Sequence, residues 1–160
     1  MGDALLSTYA FNLTYAKKLA EGIPEALACR RPPGIPNHAA WVFGHLATST
    51  DFAGTLLDVP PVCPETWGGL FGKDSVPTEQ RSRYPDLEEI LTKLGEGHDG
   101  VVNAYTAASA DRLALPATVG PIKLFPQVGS LLGFLMTSHE ALHLGQLSAW
   151  RRGMGLGSAF

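Results

Sequence analysis

Apolar residues recur at three- and four-residue steps in four separate stretches of the chain, the spacing of amphipathic helices. In the first, over about residues 3–22, Leu5, Leu6, Tyr9, Leu13, Ala16, Leu19 and Ala20 share one side, and Gly22 suits a helix stop. The second covers about residues 37–58, with Asn37 following Pro36 as the expected N-cap. The third opens at Asp86, where Glu89 three residues on reads as a capping box, and continues through Leu87, Ile90, Leu94, Val101 and Tyr105 to about Ser109. Gly95, Gly97 and Gly100 weaken it by roughly 1 kcal/mol each relative to alanine. The fourth covers about residues 127–152, and Arg151 and Arg152 before Gly153 complement its own C-terminal dipole.

No stretch alternates with period two; residues 118–125 offer at most a short extended piece. Four such helices in one chain predict an all-α four-helix bundle, with residues 1–160 as a single domain. The connections are uneven: roughly 14 and 17 residues for the outer two against about 27 between the second and third helices. A crossover that long lets the second and third helices run parallel, giving up-down-down-up order. Loops of this length without regular structure are often functional lids.

Composition narrows the function classes. With 12 basic and 15 acidic residues the net charge is −3, which argues against a nucleic-acid or anionic-membrane binder. The longest weakly polar run, residues 128–136, is nine residues, whereas a membrane span needs about 20. Met1-Gly2-Asp3 has no basic leader character, so no secretion signal is expected. Cys29 and Cys63 stand far apart, which suits a reducing cytoplasm.

The sharpest chemical feature is His139-Glu140-Ala141-Leu142-His143. Residues four apart share a helix face, so both imidazoles can reach one ion. The string fits the HExxH pattern of zinc metalloproteases, whose third ligand lies downstream; the 17 residues after His143 contain no His, Asp, Glu or Cys. A third ligand must come from upstream, and His38, His45 and His98 are the histidine candidates. His45 lies on the stripe Trp41, His45, Thr48, Phe52. At 1.5 Å per residue it sits about 20 Å from the end of its helix, and His139 and His143 about 18 and 24 Å from the start of theirs. If those two helices are antiparallel, the three imidazoles come level. A three-histidine site leaves positions open for water or substrate, the mark of a catalytic rather than a structural metal. Imidazole ligation suits Zn, Ni, Fe or Cu.

Each of these residues also has a plainer reading, since any of the three histidines could be a packed core residue. His38 reads as a cap or solvent contact, and His98 as a surface residue. Glu140 points about 100° away from His139, which suits a surface or dimer contact, with support of a ligand as the second possibility. Gln146 either orients His143 or packs. Cys63 reads as an inert buried thiol. Trp67 and Phe71, set among glycines, form either an aromatic flap over a pocket or a plug closing the bundle end. Tyr9, Asn12 and Tyr15 are pocket-lining candidates, although Tyr9 fits the core stripe.

Three stretches make the sequence resemble the DinB/YfiT-like superfamily: residues 37–46 (NHAAWVFGHL), residues 67–72 (WGGLFG) and residues 139–147 (HEALHLGQL). The resemblance implies a bundle with the long crossover and a divalent metal on the positions matching His45, His139 and His143. Zn or Ni are the foremost ions, with Fe, Mn and Cu as further candidates. It also implies a homodimer and a small-molecule substrate, with low-molecular-weight thiol S-transferases among the characterised relatives. The expected function is a metal-dependent thiol S-transferase. A metal-dependent hydrolase and a non-catalytic metal- or ligand-binding stress-response protein are the alternatives.

Overall fold

A computed structural model describes residues 2–160, with side chains described from Ala4. Among the described residues every regular element is helical, apart from an isolated antiparallel bridge between Pro116 and Gln127. Four rods form the frame: α1 (Gly2–Ala20), α2 (Ala39–Thr55), α4 (Leu87–Ala107) and a composite last rod. That rod consists of α6 (Val128–Gly133), a π-helical stretch (Phe134–His139) and α7 (Glu140–Gly153). The crossover from α2 to α4 carries the short α3 (Trp67–Phe71) and a 3₁₀ turn (Arg81–Arg83), and α5 (Ala110–Ala114) follows α4.

Side-chain pairings give the directions. Thr50 lies against Gly97, and Val59, just past the end of α2, lies against Gly100 further along α4, so α2 and α4 run parallel. Tyr9 stacks on His98 while Glu25 Oε1 accepts from the Leu87 amide, so α1 and α4 are antiparallel. Asn37 meets Gln146 and His45 meets His139, which sets α2 antiparallel to the last rod. Asn12 donates to the Met136 carbonyl and Arg151 to the Leu19 carbonyl, so α1 and the last rod run together. These directions give the up-down-down-up order that the long crossover permits.

Several expected helix ends are corrected. The N-cap of α2 is His38, one residue after Asn37: its Nδ1 accepts from the Trp41 amide at 3.1 Å and its Nε2 bonds the Thr78 carbonyl at 2.9 Å. Asp86 makes no side-chain cap; Glu25 supplies the oxygen for the Leu87 amide at 2.7 Å, and Asp86 instead pairs with Arg81. A tertiary acceptor has displaced the local one. Arg151 caps a neighbour's end, donating to Leu19 O at 3.0 Å and Glu21 O at 2.6 Å of α1. Residues 118–125 form turns, not an extended piece. The glycines that weaken α4 have a packing reason at one position, because a Cβ on Gly97 would collide with Thr50.

The core has two apolar halves. One gathers Leu19, Phe43, Leu46, Phe71, Ile90, Leu94, Leu147 and Trp150; the other gathers Tyr9, Leu56, Val101, Leu131, Leu132 and Met136. Between them, on all four rods, lie the buried polar residues Asn12, His45, Thr50, His98 and Glu140. Buried polar groups persist only where partners satisfy them. A polar layer therefore crosses the waist of the apolar bundle, with members on all four rods. No helix is long and apolar enough to cross a membrane among the described residues.

Candidate metal centre

The π-helical stretch brings the last rod to the site. Thr137 Oγ1 donates to the Gly133 carbonyl, and Asn12 Nδ2 takes the Met136 and Thr137 carbonyls at 3.3 Å each. Local widening of the helix disturbs the regular carbonyl partners, and these side chains take their place. His139 closes the stretch and His143 follows one turn later. From α2, His45 faces both, with ring centroids 5.3 Å from His139 and 4.5 Å from His143. One ligating nitrogen from each of His45, His139 and His143 lies within 4.8 Å of the other two.

Hydrogen bonds decide which nitrogens are free. His45 Nδ1 lies 2.7 Å from the Phe71 carbonyl; a carbonyl only accepts, so Nδ1 carries the proton and the lone pair is on Nε2. Trp41 stacks on the His45 ring at 4.8 Å and 6°, and its Nε1 donates to Ser75 Oγ at 2.8 Å. Gln146 Oε1 accepts from Asn37 Nδ2 and lies 3.3 Å from His143 Nδ1. Nδ1 then donates, and the His143 lone pair is on Nε2. His139 Nε2 is 3.3 Å from His45 Nε2, while its buried Nδ1 has no partner.

The His45 lone pair and His139 Nε2 face each other at 3.3 Å, and a cation between them would accept a lone pair from each. A tetrahedral ion with bonds of about 2.0 Å would space its nitrogen ligands about 3.3 Å apart, which matches the His45–His139 separation. The donor set fits a divalent transition metal.

Burial also keeps the ligands neutral. Desolvation lowers His45, and lowers His139 and His143 from 6.5 to about 4, with the neighbouring histidines lowering the latter two further. Neutral imidazole is the form that binds metal. The same shifts set a pH dependence. His38, fully buried, is likewise lowered to about 4 by desolvation. Each of these groups takes up a proton at higher pH when unfolded than when folded, so their contribution is whole above about pH 6.5 and falls toward pH 4. Burial raises the Glu140 carboxyl, which works in the opposite direction, but it is one group against several histidines. Metal-stripped protein should therefore show a melting temperature that declines steadily from pH 6.5 to 4. Thermal unfolding across that range checks it, and a flat profile would contradict the burial argument.

The three histidines lie on the wall of a cavity of about 770 Å³. Its apolar walls are Trp41, Phe52, Pro121, Phe134 and Leu135; Thr48, Ser49 and Lys73 are polar. Thr48 and Ser49 both donate to the His45 carbonyl, at 3.1 and 2.7 Å. The stripe Trp41, His45, Thr48, Phe52 thus lines the cavity, with Trp41 and Phe52 also packed against the core. Leu135 shares the face of His139 and His143 that helical spacing predicts, whereas Ser49, Lys73, Gly120, Pro121 and Phe134 are not legible in the sequence. Phe134 lies on a π-helical stretch whose register straight-helix spacing does not follow, and Gly120 and Pro121 in a bend brought in by tertiary packing.

Other candidates lie elsewhere. Glu140 and His98 are neither surface residues nor ligands: both are 3% exposed, and His98 Nε2 bonds Glu140 Oε1 at 2.7 Å on the side of α7 away from the cavity. Tyr9 stacks on His98 at 3.8 Å, and Asn12 bonds the last rod, so these two line the waist. Tyr15 stacks between Phe11 and Phe160 at the surface. Trp67 and Phe71 are buried in the core and do not line the cavity. Phe71 serves through its carbonyl, and its ring rests where a Cβ on Gly44 would collide with it. Cys63 is half-buried, and burial together with Asp51 pushes its thiol up, so it stays protonated. Asp51 accepts from the Val62 and Cys63 amides at 2.8 and 2.9 Å, tying the crossover to α2.

Residues 9–147 match the family model of the DinB superfamily. No curated protein matches the chain.

Proposed function

Since the chain belongs to the DinB superfamily, we propose that it is a divalent-metal-dependent enzyme that transfers a small thiol, with His45, His139 and His143 as the metal ligands. The observation that carries this reading is the convergence of three imidazole nitrogens on the wall of a cavity large enough for a small molecule. The bound ion would hold a thiol as its thiolate at neutral pH, the nucleophilic form.

The remaining roles belong to the chain. The Phe71 carbonyl and Gln146 fix the His45 and His143 tautomers. The apolar walls exclude water from the sulfur. In the transfer, sulfur forms a bond to an electrophilic carbon, the leaving group departs with its electron pair, and the thiol proton goes to solvent.

A thiolate needs no carboxylate base once its proton has left, and the cavity walls contain no Asp or Glu. Hydrolysis of the HExxH type would need the carboxylate beside the ion. Glu140 is turned away and held by His98, which favours transfer over hydrolysis. Protein purified without an affinity tag is expected to carry a divalent ion, and to conjugate a low-molecular-weight thiol to an electrophile. Chelation should abolish conjugation and re-addition of metal restore it. Turnover indifferent to chelation, or absent with every thiol, would overturn the reading.

A further inference from the structure

The charge around the cavity is unlike that of the whole chain. The protein carries 15 acidic residues against 12 basic ones, yet the cavity walls hold no acid and one base, Lys73. Lys73 is exposed and forms no ion pair among the described residues. Its backbone position is nonetheless fixed. The Phe71 carbonyl two residues earlier holds His45, and the Gly72 amide bonds Gly68 O at 3.0 Å. A Cβ at Gly72 would collide with that same carbonyl, so the turn that delivers Lys73 to the rim requires glycine there. The rings of Trp41, Phe52 and Phe134 line the same cavity.

We propose that the thiol accepted here carries a carboxylate on an apolar, ring-sized body, with the carboxylate meeting Lys73 at the rim while the sulfur is at the histidines. The inference rests on the thiol reading above and deepens it. Three neutral imidazoles leave the full charge of the ion uncompensated, so the ion and Lys73 both favour anionic groups. The aromatic walls give an apolar body somewhere to lie.

The test uses Co(II)-loaded protein, whose visible spectrum reports sulfur ligation. Para-mercaptophenylacetate, its neutral counterpart para-methylbenzenethiol, and mercaptoacetate, which has the acid but no ring, are titrated into wild type, Lys73→Gln and Lys73→Arg. The aryl acid should bind more tightly than either comparison thiol. Lys73→Gln should weaken the aryl acid about fivefold, the scale of one solvent-facing ion pair. The neutral aryl thiol should be unchanged within about twofold, and Lys73→Arg should keep the preference. Equal binding of acid and neutral thiols to wild type, or a preference untouched by Lys73→Gln, would overturn the carboxylate assignment while leaving thiol binding intact. Mercaptoacetate binding as tightly as the aryl acid would overturn the apolar body. A spectrum unmoved by every thiol would remove the thiol reading, and this inference with it. Because the Lys73 side chain is exposed, the fold does not depend on it.

Discussion

Glu140→Ala is expected to destabilise the protein by about 3–5 kcal/mol, the cost of removing one member of a buried pair, and to lower the melting temperature by roughly 10 °C. The alanine leaves His98 in an interior site 3% exposed, under the stacked ring of Tyr9, without its 2.7 Å partner. The site is closed to solvent, so water does not replace the carboxylate. Glu140→Gln keeps an acceptor for His98 and should recover most of the loss. Thermal unfolding of both variants in the metal-stripped state measures this without interference from bound metal. The result also bears on mechanism. A glutamate acting as base in an HExxH site would give the reverse pattern: lost turnover with the fold intact, and no recovery by glutamine.

The second large effect is separate from folding. His139→Ala is expected to lower divalent-metal affinity by more than about a hundredfold, beyond the 10–100-fold typical of groups that merely support a ligand. The apo protein should melt within a few degrees of wild type. Deleting this imidazole removes a buried Nδ1 that has no partner, which offsets the loss of the 3.3 Å contact with His45. The side chain lies on a cavity wall, so truncation enlarges a space already present and creates no sealed void. His45→Ala should match it in metal loss but cost more stability, since the Phe71 carbonyl would lose its 2.7 Å bond. Metal content, competition titration and apo melting curves separate the two. Full metal retention in either variant would end the three-histidine assignment.

These contrasts show where local pattern was informative. Periodicity placed the four rods, because helical spacing is a property of neighbouring residues and the apolar stripes here are long. The pair His139 and His143 was legible for the same reason: four residues make one turn. Helix ends were harder. His38 and Glu25 cap ends that the nearest polar residue was expected to serve, and Arg151, expected to complement its own helix, bonds the end of α1. Glu140 and His98 were misread because each, taken alone, is a charged or polar residue with no local reason to be buried. Only together are they affordable in the interior, and 42 residues separate them.

The amino-acid order alone determined the helical class, the approximate placing of the four rods and the pair of imidazoles on one helix face. The tertiary structure decided which side of each polar residue meets water. It brought His45 across from α2, turned Glu140 toward His98 and away from the cavity, and carried the Phe71 carbonyl and Lys73 on the crossover to one site. The physical reason is that burial and hydrogen-bond satisfaction are properties of pairs distant in sequence. A single helix's spacing fixes which residues share a face, but not what that face will meet.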